Sequence, residues 1–97
     1  MLFAVLCTDK PNALQLRLDT RPPHVAFLTE LNANGKLAMA GPFLDGDGKP
    51  NGSLVILKAE SIEEARAIAA EDPYAKAGLF AQVEIKPYNW VFNNPEA

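Results

Sequence analysis

His24 is the only histidine among 97 residues, and Cys7 is the only cysteine. Proton chemistry near neutral pH therefore falls on a single imidazole. A neutral imidazole that donates one ring N–H to a carboxylate keeps its other nitrogen as an acceptor, which is the state needed to abstract or relay a proton. Asp72 is the expected partner: it would orient the ring while His24 acts as base. Around this pair, Gly41 with Pro42 would form a rim where a ligand approaches the backbone closely. Ser53 would donate a hydrogen bond to a carbonyl or nascent oxyanion, and Arg17 and Arg21 would anchor an anionic substrate. Each residue also has a plainer structural reading: a core histidine, a helix-end aspartate, a strand-terminating Gly-Pro, a backbone-bonded serine and solvated arginines. One imidazole and one thiol cannot assemble a Cys/His zinc centre. The chain contains no GxGxxG, P-loop, HExxH or GxSxG sequence, so nucleotide, zinc-protease and serine-hydrolase chemistry lack support. Neither a metal nor a cofactor is expected.

Composition narrows the partners. Nine Lys and Arg against twelve Asp and Glu give a net charge of -3, which offers no footprint for nucleic acid. Hydrophobic residues at 48% and charged residues at 22% are ordinary globular usage, and the length suits one domain spanning 1–97. The apolar opening of the chain is cut short by Asp9 and Lys10, too early for a signal or membrane segment. With a single thiol, this predicts a soluble chain in the reducing cytoplasm.

The elements that must position the candidates follow from periodicity. Residues 2–7 form a short apolar run, a buried strand. Residues 12–20 alternate Leu14, Leu16 and Leu18 with polar groups, and fit either a strand or a short helical turn beginning at Asn12. From Arg21 a helix is predicted, with Thr20 as cap and Pro22 and Pro23 in its first turn. His24, Phe27, Leu28 and Leu31 fall at helical spacing on its inner face, and it ends near Gly35. Lys36–Phe43 and Ser53–Ala59 are the second and third strands, separated by the turn-rich Asp45–Gly48. Ser61-Ile62-Glu63-Glu64 matches a capping box that opens a second helix, which stops before Pro73. Leu79, Ala81, Val83 and Ile85 alternate with Phe80, Gln82, Glu84 and Lys86 as a fourth strand, followed by a tail in which Tyr88, Trp90 and Phe92 close the core or a dimer seam.

This β-α-β-β-α-β order is the split-βαβ, ferredoxin-like α+β arrangement with a four-stranded antiparallel sheet. Its helices run antiparallel, which brings the start of the first, with His24 in its first turn, beside the end of the second, with Asp72 just beyond. That position sets the helix N-terminus, which disfavours imidazolium, against the aspartate, which favours it. Cys7, Gly41-Pro42 and Ser53 should reach the same rim. Two helices cover only one sheet face, yet the central strands are apolar on both. The second face is therefore expected to pack on another copy, forming a homodimer.

The run Leu16-Arg17-Leu18-Asp19-Thr20-Arg21-Pro22-Pro23-His24, then Ala40-Gly41-Pro42, Asn51-Gly52-Ser53, Asp72-Pro73-Tyr74 and Gly78-Leu79-Phe80, resembles the YciI-like (YCII-related) family in order and spacing. The resemblance implies a dimeric α/β barrel, related at superfamily level to muconolactone isomerase and small cofactor-free monooxygenases. It also implies a His–Asp active site, which falls on His24 and Asp72, with Tyr74 beside them in the D-P-Y sequence. Two functions compete. One is a cofactor-independent enzyme moving a proton on a small organic acid, aromatic or lactone-like, by isomerisation, elimination or dehydrohalogenation. The other is a non-catalytic ligand-binding or protein-interaction module.

Overall fold

Why Leu2–Asp9 forms the strand β1 is plain from its residues: every second side chain, Phe3, Val5 and Cys7, is buried under the helices, and the run ends where Asp9 and Lys10 meet Pro11. The computed structural model describes residues 1–96. In order it contains β1, the helix α1 (Leu14–Ala33), β2 (Leu37–Leu44), β3 (Pro50–Lys58), α2 (Ile62–Ala70), the short helix α3 (Pro73–Lys76) and β4 (Phe80–Tyr88). The strands form one antiparallel sheet in the order β2-β3-β1-β4, the expected ferredoxin-like arrangement.

Packing on the helix side follows the register. Val5 lies opposite Val55 and Phe3 opposite Leu57, and these join Leu31 of α1 and Ala65 of α2 in the core. Side chains alternate across a strand, so Ala4 and Leu6 of β1 and Leu54 and Ile56 of β3 occupy the face without helices. Met39 and Phe43 of β2 share that face and are each 40% exposed. Both faces of the central strands are thus apolar, while Gln82, Glu84 and Lys86 of β4 make one margin of the open face polar.

Three expectations need correcting. The helix predicted from Arg21 begins at Leu14, so the open stretch 12–20 is mostly helix and Pro22 and Pro23 are interior residues of α1. The misleading signal was physical: a proline pair suits a first turn, and Leu14, Leu16 and Leu18 mimic a strand period. What α1 buries in its first half is Arg17 instead of an apolar side chain; its buried residues Arg17, His24 and Leu31 recur every seven positions. Second, Asp72-Pro73 begins a helical turn of its own, α3, which was not expected. Third, the regular alternation of β4 is broken by a register shift opposite Thr8 and Asp9. A bulge there turns Phe80 toward the core in place of Ala81. The Ser61 cap held as expected: its hydroxyl accepts from the Glu64 N–H at 3.2 Å.

Candidate active site

Proline fixes the first part of the site. The residue before Pro73 is pushed into extended backbone, and Asp72 accordingly has φ -58 and ψ 125 and caps α3. Its Oδ1 accepts a hydrogen bond from the Tyr74 N–H at 2.9 Å, which fixes the carboxylate. The same oxygen lies 2.8 Å from His24 Nδ1. A carboxylate has no proton to give, so Nδ1 donates, and in the neutral imidazole Nε2 carries the lone pair. His24 and Asp72 are 8% and 5% exposed, a dry setting in which losing either partner strands the other.

Tyr74 holds the ring from its face. Its phenol stacks on the imidazole with centroids 3.8 Å apart and planes 18° apart, and Phe80 meets Tyr74 edge-on at 6.1 Å. On the other side of Tyr74, the Arg17 guanidinium carbon sits 4.6 Å from the ring centroid. Arg17 is in turn clamped. Its Nε donates to Asp9 Oδ2 at 2.7 Å, its Nη2 to Asp9 Oδ1 at 2.9 Å, and Nη2 again to Ser53 Oγ at 2.9 Å. Burial opposes the guanidinium charge, but the bonds and charge of Asp9 outweigh it and raise the Arg17 pKa. Burial also raises the Tyr74 pKa, against the lowering influence of Arg17 and Arg21, so this phenol keeps its proton at neutral pH.

These groups border a cavity of about 270 Å³ between α1 and the β2–β3 side of the sheet. One stripe of α1 supplies Arg17, Arg21, His24 and Leu28, and the facing wall is Pro42, Pro50, Ser53 and Val55. His24 Nε2 and Arg17 Nη1 have no protein partner among the described residues. No buried side-chain polar atom among those residues is left both sealed and unpaired, so both nitrogens reach space that water or a ligand can occupy.

The structure brings His24, Asp72, Ser53, Arg17 and Tyr74 into one connected cluster and places Arg21, Gly41 and Pro42 along the cavity. One detail of the expected site changes. His24 lies nearly three turns into α1, so the N-terminal dipole, which acts within the first turn, does not bear on it. Gly41 leaves open space where a side chain would stand, on the border of the cavity. Cys7 belongs to the layer beneath the dyad, beside Asp72, Phe27 and Val55. Burial, then the charge of Asp72, pushes its thiol up to about 12, an unreactive sulfur. Sequence reasoning missed Asp9; its signal was a carboxylate closing β1 eight positions before Arg17. No group of three metal-ligating side chains occurs among the described residues, and no helix there is long and apolar enough to cross a membrane.

Comparison with known proteins identifies the family and the fold. Residues 1–89 match the YCII-related domain. Protein YciI of Escherichia coli O6:H1 is 40% identical over 98 residues, covering 95% of this chain and all of that one. Among solved structures, 5-chloro-2-hydroxyhydroquinone dehydrochlorinase (TftG) from Burkholderia phenoliruptrix AC1100, in complex with 2,5-dihydroxybenzoquinone, superposes with a TM-score of 0.86. It is 35% identical, with 97% of this chain and 99% of that one covered. An antibiotic biosynthesis monooxygenase shares the fold at TM-score 0.55 and 14% identity, with 94% of this chain and 99% of that one covered. The chain belongs to the YCII-related domain family.

Proposed function

We propose that this protein is a cofactor-independent enzyme in which His24, oriented by Asp72, moves a proton on a small hydroxylated ring, with elimination of a hydrogen halide as the leading reaction. The observation that carries this reading is the contact of Nδ1 with Asp72 at 2.8 Å, which in the neutral ring leaves the Nε2 lone pair beside a cavity. Elimination of HX needs a base for the proton and a departure route for the halide, and draws no electrons from outside. In the keto tautomer of the ring, the halogen-bearing carbon is tetrahedral and carries a hydrogen. From that form a proton passes from a hydroxyl or C–H to Nε2, the freed pair forms a new double bond through the ring to the halogen-bearing carbon, and the carbon–halogen bond breaks with its pair leaving on the halide. The likeness to a dehydrochlorinase bound to a hydroxylated quinone supports this class of substrate. Isomerisation would use the same base.

The test is halide release from chlorinated hydroxyhydroquinones by wild type and His24→Gln. General acid–base catalysis contributes about 10²–10⁴-fold, so the variant should lose at least a hundredfold in kcat with its circular dichroism unchanged. Full activity in His24→Gln would remove the imidazole from the mechanism, and saturable binding without turnover by wild type would favour the ligand-binding module. We further propose that the open sheet face, with Met39 and Phe43 each 40% exposed, is covered by the same face of a second copy. Light scattering should give twice the 10.5 kDa chain mass, and Leu54→Asp should halve it. A buried lone thiol without a disulfide suits the cytoplasm as the place of work.

A further inference from the structure

Two arginines line the cavity, and no aspartate or glutamate does. In a chain of net charge -3 that is a local reversal of sign. The two cations are not equivalent. Arg17 is buried and neutralised by Asp9 through two bonds. Arg21, one turn further along the same stripe of α1, is exposed and forms no ion pair among the described residues. The carboxylates of the site, Asp9 and Asp72, hold Arg17 and His24 and do not line the cavity. The facing wall of Pro42, Pro50 and Val55 is apolar and suits the face of a ring.

We propose that the cavity takes its substrate as a monoanion, a planar ring carrying one ionised oxygen, and that Arg21 is the specificity-determining residue that selects the ionised form. This rests on the reading of the cavity as a substrate site and names the charge state of what enters it. The ionised oxygen sits on the Arg21 guanidinium, assisted by Arg17 Nη1, while a second, still protonated group faces His24 Nε2. A proton leaving a molecule that is already an anion builds a second negative charge, which two guanidiniums stabilise. Neutral rings of the same shape fill the apolar wall but leave Arg21 without a partner.

The test uses the intact protein and 4-nitrophenol, whose phenolate has its own absorption band. A charge-assisted contact of this kind favours the phenolate over the phenol by about tenfold. Binding should therefore lower the apparent pKa of the bound dye by about one unit, and the neutral ether 4-nitroanisole should compete poorly. Arg21→Gln, at an exposed position that leaves the fold intact, should abolish the preference, and Arg21→Lys should retain part of it. His24→Gln should keep it, because the imidazole does not hold the anion. The proposal falls if Arg21→Gln binds phenolate as selectively as wild type, if the neutral ether competes equally, or if the dye does not bind. Loss of the proton-transfer reading would appear separately, as undiminished halide release by His24→Gln, without altering the dye result.

Discussion

Replacing Asp9 with Ala is the most incisive perturbation of this site, because its magnitude can be worked out from geometry. The Arg17 and Asp9 side chains are each 5% exposed, so the pair is not a screened surface contact of about 0.2–1 kcal/mol. Removing the carboxylate leaves a buried guanidinium with only the neutral hydroxyls of Ser53 and Tyr74 beside it and no paired carboxylate among the described residues. Breaking a buried ion pair from one side costs about 3–5 kcal/mol, against a total stability of about 5–15 kcal/mol for a domain of ordinary size. At about 4–8 °C per kcal/mol for a chain near 100 residues, Tm should fall by at least about 12 °C. The double variant Asp9→Leu with Arg17→Met removes both charges and replaces them with apolar bulk, so it should recover most of the loss. Urea denaturation followed by circular dichroism measures all three proteins. A loss below about 1 kcal/mol in Asp9→Ala, or a double variant as unstable as the single one, would refute the claim that an uncompensated buried charge sets the cost.

Two further outcomes follow from the same contacts. Asp72→Asn keeps an oxygen for the Tyr74 N–H and His24 Nδ1 contacts, so it should lower stability by about 1 kcal/mol or less while reducing kcat at least tenfold. Asp72→Ala also removes the cap, about 1 kcal/mol, and strands a buried imidazole N–H, about 1–3 kcal/mol; the difference between the two variants in a thermal melt separates charge from architecture. Cys7 sets an alkaline limit. Its thiol is held neutral in the folded chain, raised from 9.0 to about 12, whereas in the unfolded chain it ionises normally. Its contribution is fully present below pH 9 and is lost as pH rises toward 12, by about 4 kcal/mol at most. The stability gap between wild type and Cys7→Ala should therefore shift in favour of the variant over that interval; parallel curves would show that the thiol does not titrate with unfolding.

Legibility in the sequence depended on whether a local signal and the tertiary arrangement agreed. The order of strands and helices was readable because Phe3-Ala4-Val5-Leu6, Leu54-Val55-Ile56-Leu57 and the Ser61 capping box have one natural reading each. The His24–Asp72 contact was readable from topology, although its position along α1 was not. Pro22-Pro23 is a strong start signal in isolation, and only packing against the sheet and α3 keeps the pair inside a helix that lacks two backbone donors at that point. Asp9 and Arg17 were hidden for a related reason: charged residues are almost never fully buried unless paired, and the pairing joins the end of a strand to a helix that had not been recognised. The bulge in β4 left no mark in the alternation, since Leu79, Phe80 and Ala81 are all apolar.

The placement of the two carboxylates explains why so small a chain can maintain a charged site. Asp9 ends β1 and Asp72 caps α3, both junctions where backbone already turns, and each grips one side chain of α1. The gripped residues, Arg17 and His24, are seven positions apart, about 10 Å along a helix axis. Tyr74 spans that gap, under Arg17 on one face and against His24 on the other. Between the two anchors lie Pro22 and Pro23, and an interior proline costs a helix about 3 kcal/mol. The helix therefore does not hold the site in place through its own hydrogen-bond ladder; the two side chains bound to carboxylates hold the helix across its weakest point. Stability and chemistry are coupled through the same contacts, so a substitution that loosens Asp9 or Asp72 should disturb the cavity wall and the orientation of His24 together.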